Sequence, residues 1–173
     1  SGCGNVGDDL IVLVLKRYIE TFFKDTADVS IIPQQKQYEE IKDADILIIG
    51  GGGLIYDYDM NNVRNYCDAI NYAHDFRVPV YMMGMGVQHV FSDEAKTMYR
   101  EALSKVKVIA TRGIFDSNFI NNDLAYPSPR TITSRDLVFL YDDVLKDARV
   151  SEVANRKPVL ALSLADWQLS DSN

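Results

Sequence analysis

Leu10, Ile11, Val14, Leu15, Tyr18, Ile19, Phe22 and Phe23 fall in pairs four residues apart. That is the stripe of a helix packed on a sheet. The run LIVLVL would also suit a strand, but the stripe continues to Phe23, so the period predicts a helix. It follows the segment SGCGNVGDDL, whose Asp8 and Asp9 sit where carboxylates cap exposed N–H groups and meet the helix dipole. DVSIIP (28–33) reads as a short strand ending at Pro33, and 34–43 as a short helix or loop. DADILIIGGGG carries the strongest strand signal, Ile46 to Ile49, stopped by four glycines. Its apolar residues do not alternate with polar ones, which marks a strand buried on both faces of a parallel sheet.

The alternation continues. Val63, Tyr66, Ile70, Ala73 and Phe76 have helical spacing, and VPVYMMGMG (78–86) is a strand ending in glycines. Ser92, Asp93 and Glu94 start a helix whose Ala95, Met98, Tyr99, Ala102 and Leu103 share a face. VKVIATR (106–112) predicts a further strand, followed by a short helix near 114–122. A loop (123–131) with Pro127 and Pro129 leads to a shorter extended piece. Tyr141, Val144, Leu145 and Ala148 predict one more helix, and KPVLALSLA (157–165) a last strand. Strands alternating with helices predict an open, Rossmann-like, mostly parallel sheet with helices on both faces.

Charge removes several functions. With 25 acidic against 18 basic residues the net charge is -7. Such a surface lacks the basic footprint that holds nucleic acid or an anionic membrane. Cys3 and Cys67 form no CxxC and no pairing pattern, so neither a disulfide framework nor a zinc site is expected. No apolar run approaches the length of a membrane span and no basic-then-apolar leader precedes the first loop. The expected compartment is the cytoplasm.

In open α/β sheets the ligand crevice lies outside the carboxyl ends of the strands. Three glycine-rich segments fall there: Gly50 to Gly53, Gly84 with Gly86 and, if a strand precedes it, Gly2 to Gly7. Three on one edge predict a binding crevice. None is a standard nucleotide fingerprint; GCGNVG matches GxGxxG formally, without a strand before it. His89 follows GMGVQ at a strand end and can face the crevice, whereas His74 reads as a surface residue. Arg112 ends a strand, so its guanidinium either binds a carboxylate or phosphate, or pairs with a nearby carboxylate such as Asp116. Asp57 and Asp59 are metal ligands or, more commonly for such residues, helix caps. The spacing reaches an α/β domain with an anionic-ligand crevice.

The wording of the turns adds more. GNVGDD running into a helix, DADILIIGGGGLIYD, PVYMMGMGV and VIATRGIFDS, in that order, resemble the polysaccharide pyruvyl transferase family, and Asp136-Leu137-Val138-Phe139 corresponds to a later family motif. The resemblance runs from Gly4 to about Leu164. It implies transfer of the enolpyruvyl group of phosphoenolpyruvate to a sugar hydroxyl of a surface polysaccharide or its precursor, with no cofactor beyond that donor. It also implies two Rossmann-like halves facing a cleft, as in GT-B glycosyltransferases. Residues 1–150 would be the N-terminal domain, without its own first strand, and 151–173 a linker and the first strand of the second. A vacant sheet position beside DADILIIG and an inactive isolated fragment are the corresponding expectations. Substrate binding then falls to Gly4, Asn5, Gly7, Asp8, Gly51, Gly52, Gly53, Gly86, His89, Arg112 and Ser117, with Arg112 holding the donor. No residue is assigned as catalytic acid or base, and no metal is implied. Met85, Gly113 and Leu137 stand where the family has a glutamine, an acidic residue and a proline. These departures motivate an alternative: a non-catalytic sugar- or anion-binding domain of the same fold.

Overall fold

Val6–Phe23 forms helix α1, so the helix predicted from the first stripe begins inside the glycine-rich segment rather than after it. The structure, a computed structural model, describes residues 6–24, 26–32, 38–124 and 130–140. The helix expected at 141–148, the strand at 157–165, the domain boundary at 150, and Gly4 and Asn5 lie outside the described residues.

After α1 come β1 (Leu47–Ile55), α2 (Met60–Asp75), β2 (Val80–Val87), α3 (Asp93–Leu103), β3 (Val108–Thr111), α4 (Ile114–Phe119) and β4 (Arg130–Thr133). The strands form one parallel sheet in the order β1-β2-β3-β4. In its register Ile49 lies beside Met82 and Met82 beside Ile109. These three side chains meet Val63, Cys67 and Ile70 of α2 and Tyr99, Ala102 and Leu103 of α3 in one buried cluster. Burial holds the Cys67 thiol up at about 12, with Asp68 and Glu101 adding to the effect.

Gly50, next to Ile49, faces the opposite side, because successive strand residues alternate. A Cβ there would lie 2.6 Å from Leu15 of α1. Helices therefore cover both faces: α2 and α3 on one, α1 on the other. Ile11, Val14 and Leu15 are buried, whereas Tyr18, Phe22 and Phe23 are exposed. Only the first half of the predicted stripe is covered by described residues.

Two sequence expectations need correction. The glycines do not stop the strand; β1 runs through them to Ile55. Gly51 and Gly52 take φ values of +67° and +106°, and the register shifts between Gly52 and Ile55. Glycine alone absorbs that distortion cheaply, so the strand continues as a bulge. Secondly, described residues 28–32 are not strand. A strand exists by pairing, and β-branched residues provide only a fit to a pleated surface. Among the described residues the outer edge of β1 carries no neighbour, so this segment has nothing to pair with. Ile32 still packs against the core through its side chain.

Helix starts follow the sequence signals. Asp59 caps α2, its carboxylate accepting from the Asn61 N–H at 2.9 Å, and Ser92 caps α3 through the Ala95 N–H at 3.2 Å.

Candidate active site

Parallel strands share their exits. β1 leads into 56–59, β2 into 88–92, β3 into 112–113 and β4 into 134–136, all along one edge. α1 joins them there. Its Ile11 lies at Gly51 and its Leu15 at Gly50, so the helix runs antiparallel to β1 and points its N-terminus at the same edge. Gly7 is exposed in that first turn, with Asp8 and Asp9 in the same turn of backbone. Because α1 starts at Val6, neither aspartate is its N-cap; both sit where the dipole favours negative charge.

At the β3 exit, Arg112 donates its backbone N–H to the Met85 carbonyl at 2.9 Å. Its guanidinium lies against Gly86, where any Cβ would collide with Nε and Cζ. One guanidinium nitrogen stands 3.7 Å from Asp136 Oδ2, with both side chains about one third exposed. That separation is an ion pair too long for a hydrogen bond, so it orients the guanidinium without consuming its donors. The partner is not Asp116, as the sequence allowed. Asp116 Oδ1 instead accepts from the Val87 N–H at 2.7 Å, at the last residue of β2. A strand's final amide has run out of sheet partners, and a carboxylate on the following helix satisfies it.

Ser117 is buried between two other hydroxyls, Thr111 at 2.6 Å and Thr133 at 2.8 Å. Thr111 donates to the Gly113 carbonyl at 3.0 Å. Each hydroxyl carries one proton, so Ser117 donates to Thr111 and Thr133 donates to Ser117. This chain ties α4 to β3 and β4 and thereby fixes the turn that carries Arg112.

The β1 and β2 exits are laced together. Asp57 Oδ2 accepts from the Phe91 N–H at 2.8 Å and the Ser92 N–H at 2.7 Å, while the Asp57 N–H donates to the His89 carbonyl at 3.2 Å. Burial pushes the Asp57 carboxyl upward, but the Ser92 and Phe91 N–H groups outweigh it and hold it below the usual carboxylate range. A depressed folded value contributes stability that is present above the unfolded value of about 3.9 and is lost as pH falls through the folded one. Thermal midpoints of the native protein and Asp57→Asn should therefore differ near pH 7 and converge as the pH drops below about 4. A gap that persists into acid would refute this role.

Beneath these exits, Tyr99 is buried and its hydroxyl donates to the Tyr56 carbonyl at 2.8 Å while accepting from the Tyr56 N–H at 3.2 Å. Burial raises its ionisation far above the normal phenol range. Tyr99→Phe should cost about 1–3 kcal/mol in denaturant unfolding. A loss within error would show that these bonds do not hold the exit in place.

His89 is exposed at this edge, its ring stacked on Phe91 at 5.1 Å and edge-on to Tyr58 at 6.2 Å. Gly53 is met by the Gln88 side chain and Gly51 by Ile11. The fold thus brings Gly86 and Arg112 together with Asp136, and sets His89 on the neighbouring strand exit beside Asp57. The sequence alone offered Asp116 only as an ion-pair partner of Arg112 and gave no sign of its bond to the Val87 N–H, while Phe91 carried no signal.

The residues that depart from the family motifs have local roles. Met85 is fully buried in the core, Gly113 precedes α4 in extended conformation, and the Leu137 side chain fills the space beside Gly84. A cavity of about 350 Å³ lies at the other end of the sheet, lined by His74, Arg77, Lys105 and Lys107 among others, away from every strand exit. Among the described residues no group of three His, Cys, Asp or Glu side chains is placed to hold a metal, and no helix is long and apolar enough to cross a membrane.

No curated protein and no solved structure matches the chain significantly. The family model described as polysaccharide pyruvyl transferase matches residues 5–171. That span takes in the start of α1, the bulged glycines of β1, the β2 exit and the Arg112 turn, and by it the chain belongs to the polysaccharide pyruvyl transferase family.

Proposed function

We propose that this protein transfers the enolpyruvyl group of phosphoenolpyruvate to a sugar, forming a pyruvate ketal on a surface polysaccharide or its precursor. The reaction needs no cofactor and takes place in the cytoplasm. Family membership supports the reading, and the observation that carries it is Arg112. This guanidinium stands at the carboxyl edge, anchored through its backbone and engaged only by a 3.7 Å ion pair among the described residues. A planar fork of that kind suits the carboxylate or phosphate of a strongly anionic donor.

In the reaction one acceptor hydroxyl adds to C2 of the donor while the methylene carbon takes up a proton and becomes a methyl group. A second hydroxyl of the sugar then displaces phosphate from C2. One hydroxyl proton balances the new methyl group, the other leaves with inorganic phosphate, and no oxidant is required. Cationic groups fixed beside the phosphate and carboxylate stabilise the charge that develops on the leaving group and hold C2 in line. Residues 1–150 form one wall of a two-domain cleft in this reading.

Full-length protein should release inorganic phosphate from phosphoenolpyruvate in the presence of an accepted glycan, with the ketal methyl visible by proton NMR. Absence of phosphate release across a broad set of glycan acceptors would leave a sugar- or anion-binding domain of the same fold and refute transfer.

A further inference from the structure

The exits of β1 and β2 carry four aromatic rings in one chain of contacts. Tyr56 lies 5.8 Å from Tyr58, Tyr58 lies 6.2 Å from His89, and His89 stacks on Phe91 at 5.1 Å with the planes only 15° apart. Tyr58 is 61% and Phe91 68% exposed. The surface is also held in place. Asp57 bonds the backbone before α3, and Tyr99 clamps Tyr56 from below. A contiguous, ordered aromatic surface open to water is the usual mark of a contact site.

Its chemistry narrows the occupant. Segments 56–61 and 88–93 hold no lysine or arginine but contain Asp57, Asp59 and Asp93. Arg64 on the adjacent helix is already paired with Glu94 at 3.8 Å. An anionic headgroup or a polyanion is therefore disfavoured here. A pyranose fits: the C–H groups on its apolar face carry partial positive charge and lie on the negative face of an aromatic ring. Its hydroxyls donate and accept hydrogen bonds, which uncharged polar side chains can satisfy, and Gln88, Asn61 and Ser92 are exposed beside these rings in sequence. The edge is thus divided, with Arg112 and Arg135 at the β3 and β4 exits and an acidic, aromatic surface at the β1 and β2 exits.

We infer that the Tyr58, His89 and Phe91 surface is the acceptor subsite, on which a neutral pyranose ring of the glycan stacks while the anionic donor lies toward Arg112. The identity of the ligand as acceptor rests on the proposed transfer; the sugar-stacking surface rests on the rings themselves.

The test uses the whole chain and a panel of methyl β-glycosides (galactose, glucose, mannose, N-acetylmannosamine) with lactose and cellobiose, followed through the aromatic resonances by NMR. At least one should shift the rings of Tyr58, His89 and Phe91 at millimolar concentration. Phe91→Ala should weaken that binding about tenfold and Phe91→Tyr should restore it, because the stacking face returns. No shift of these rings by any saccharide up to about 50 mM, or equal binding in Phe91→Ala, would overturn the subsite. So would dimerisation that depends on Phe91 without saccharide binding, which would assign the surface to a second copy. Ketal formation with unmoved rings sinks the subsite alone; rings that bind sugar in a protein that releases no phosphate sink the transfer alone.

Discussion

Arg112→Lys is expected to lower kcat/KM for phosphoenolpyruvate about a hundredfold, equivalent to about 2.7 kcal/mol of transition-state stabilisation. The charge survives this substitution, but the planar pair of donors does not, and a lysine is not a conservative replacement at a bidentate site. Stability should barely change. Among the described residues the only ion pair at risk is the 3.7 Å contact with Asp136, partly exposed on both sides. Such pairs contribute about 0–1 kcal/mol. Gly86→Ala offers an independent route to the same loss. Its Cβ would take the space occupied by the Arg112 guanidinium, displacing it while leaving its charge intact. Both variants should raise the donor KM or lower kcat while the thermal midpoint stays within a few degrees. If Arg112→Lys retains more than half the activity, Arg112 does not hold the donor.

The second large effect concerns folding. Gly51→Ala should destabilise the domain by about 2–5 kcal/mol in denaturant unfolding. Two costs add. The backbone at φ +67° disfavours any Cβ, and that Cβ would fall on the Ile11 side chain of α1. Against a total stability of about 5–15 kcal/mol the variant should be visibly unfolded at moderate denaturant. Ile11→Ala in the Gly51→Ala background should recover the steric part and leave the backbone part, since the two residues touch. Gly53→Ala is the control. Its Cβ would come nearest the amide nitrogen of Gln88, the tip of an exposed side chain free to swing aside. The control should cost less than about 1 kcal/mol. Equal losses at the two positions would show that α1 does not seat on β1 through Gly51.

Much of this architecture was legible because local patterns and tertiary demands agree. The stripe at Ala95, Tyr99, Ala102 and Leu103 predicted the face of α3 that enters the core, and Ser92 predicted its cap. The unalternating run at Ile48 and Ile49 predicted a strand covered on both sides, and α1 and α2 cover it. The failures arose where a segment's state depends on a neighbour. Residues 28–32 have strand composition but no strand beside them among the described residues. The glycines of β1 read as a stop, yet β2 pairs with Gly50 and Gly52 and draws the strand onward.

The candidate site divides in the same way. Arg112 was placed by its position at the end of an apolar strand, a one-dimensional signal, since every parallel strand delivers its last residue to the same edge. Whether its guanidinium would pair with a carboxylate was open, and the sequence suggested only Asp116 for it. The choice was made by the Val87 amide, which needed an acceptor and took Asp116, leaving Asp136 to approach from the β4 exit. The aromatic surface was invisible in sequence, because Tyr58 and Phe91 are far apart in the chain and either could have been core.

The sequence by itself determined the order of helices and strands, the edge on which their exits gather, and the family to which the motifs belong. These follow from periodicity and from short-range backbone chemistry, which any stretch of chain carries with it. Only the tertiary structure decided which face each glycine opens to, which carboxylate meets Arg112, and that Tyr58, His89 and Phe91 share one surface. Those outcomes turn on which buried polar group finds a partner first and which side chain fills a gap, and neither is a property of any segment taken alone.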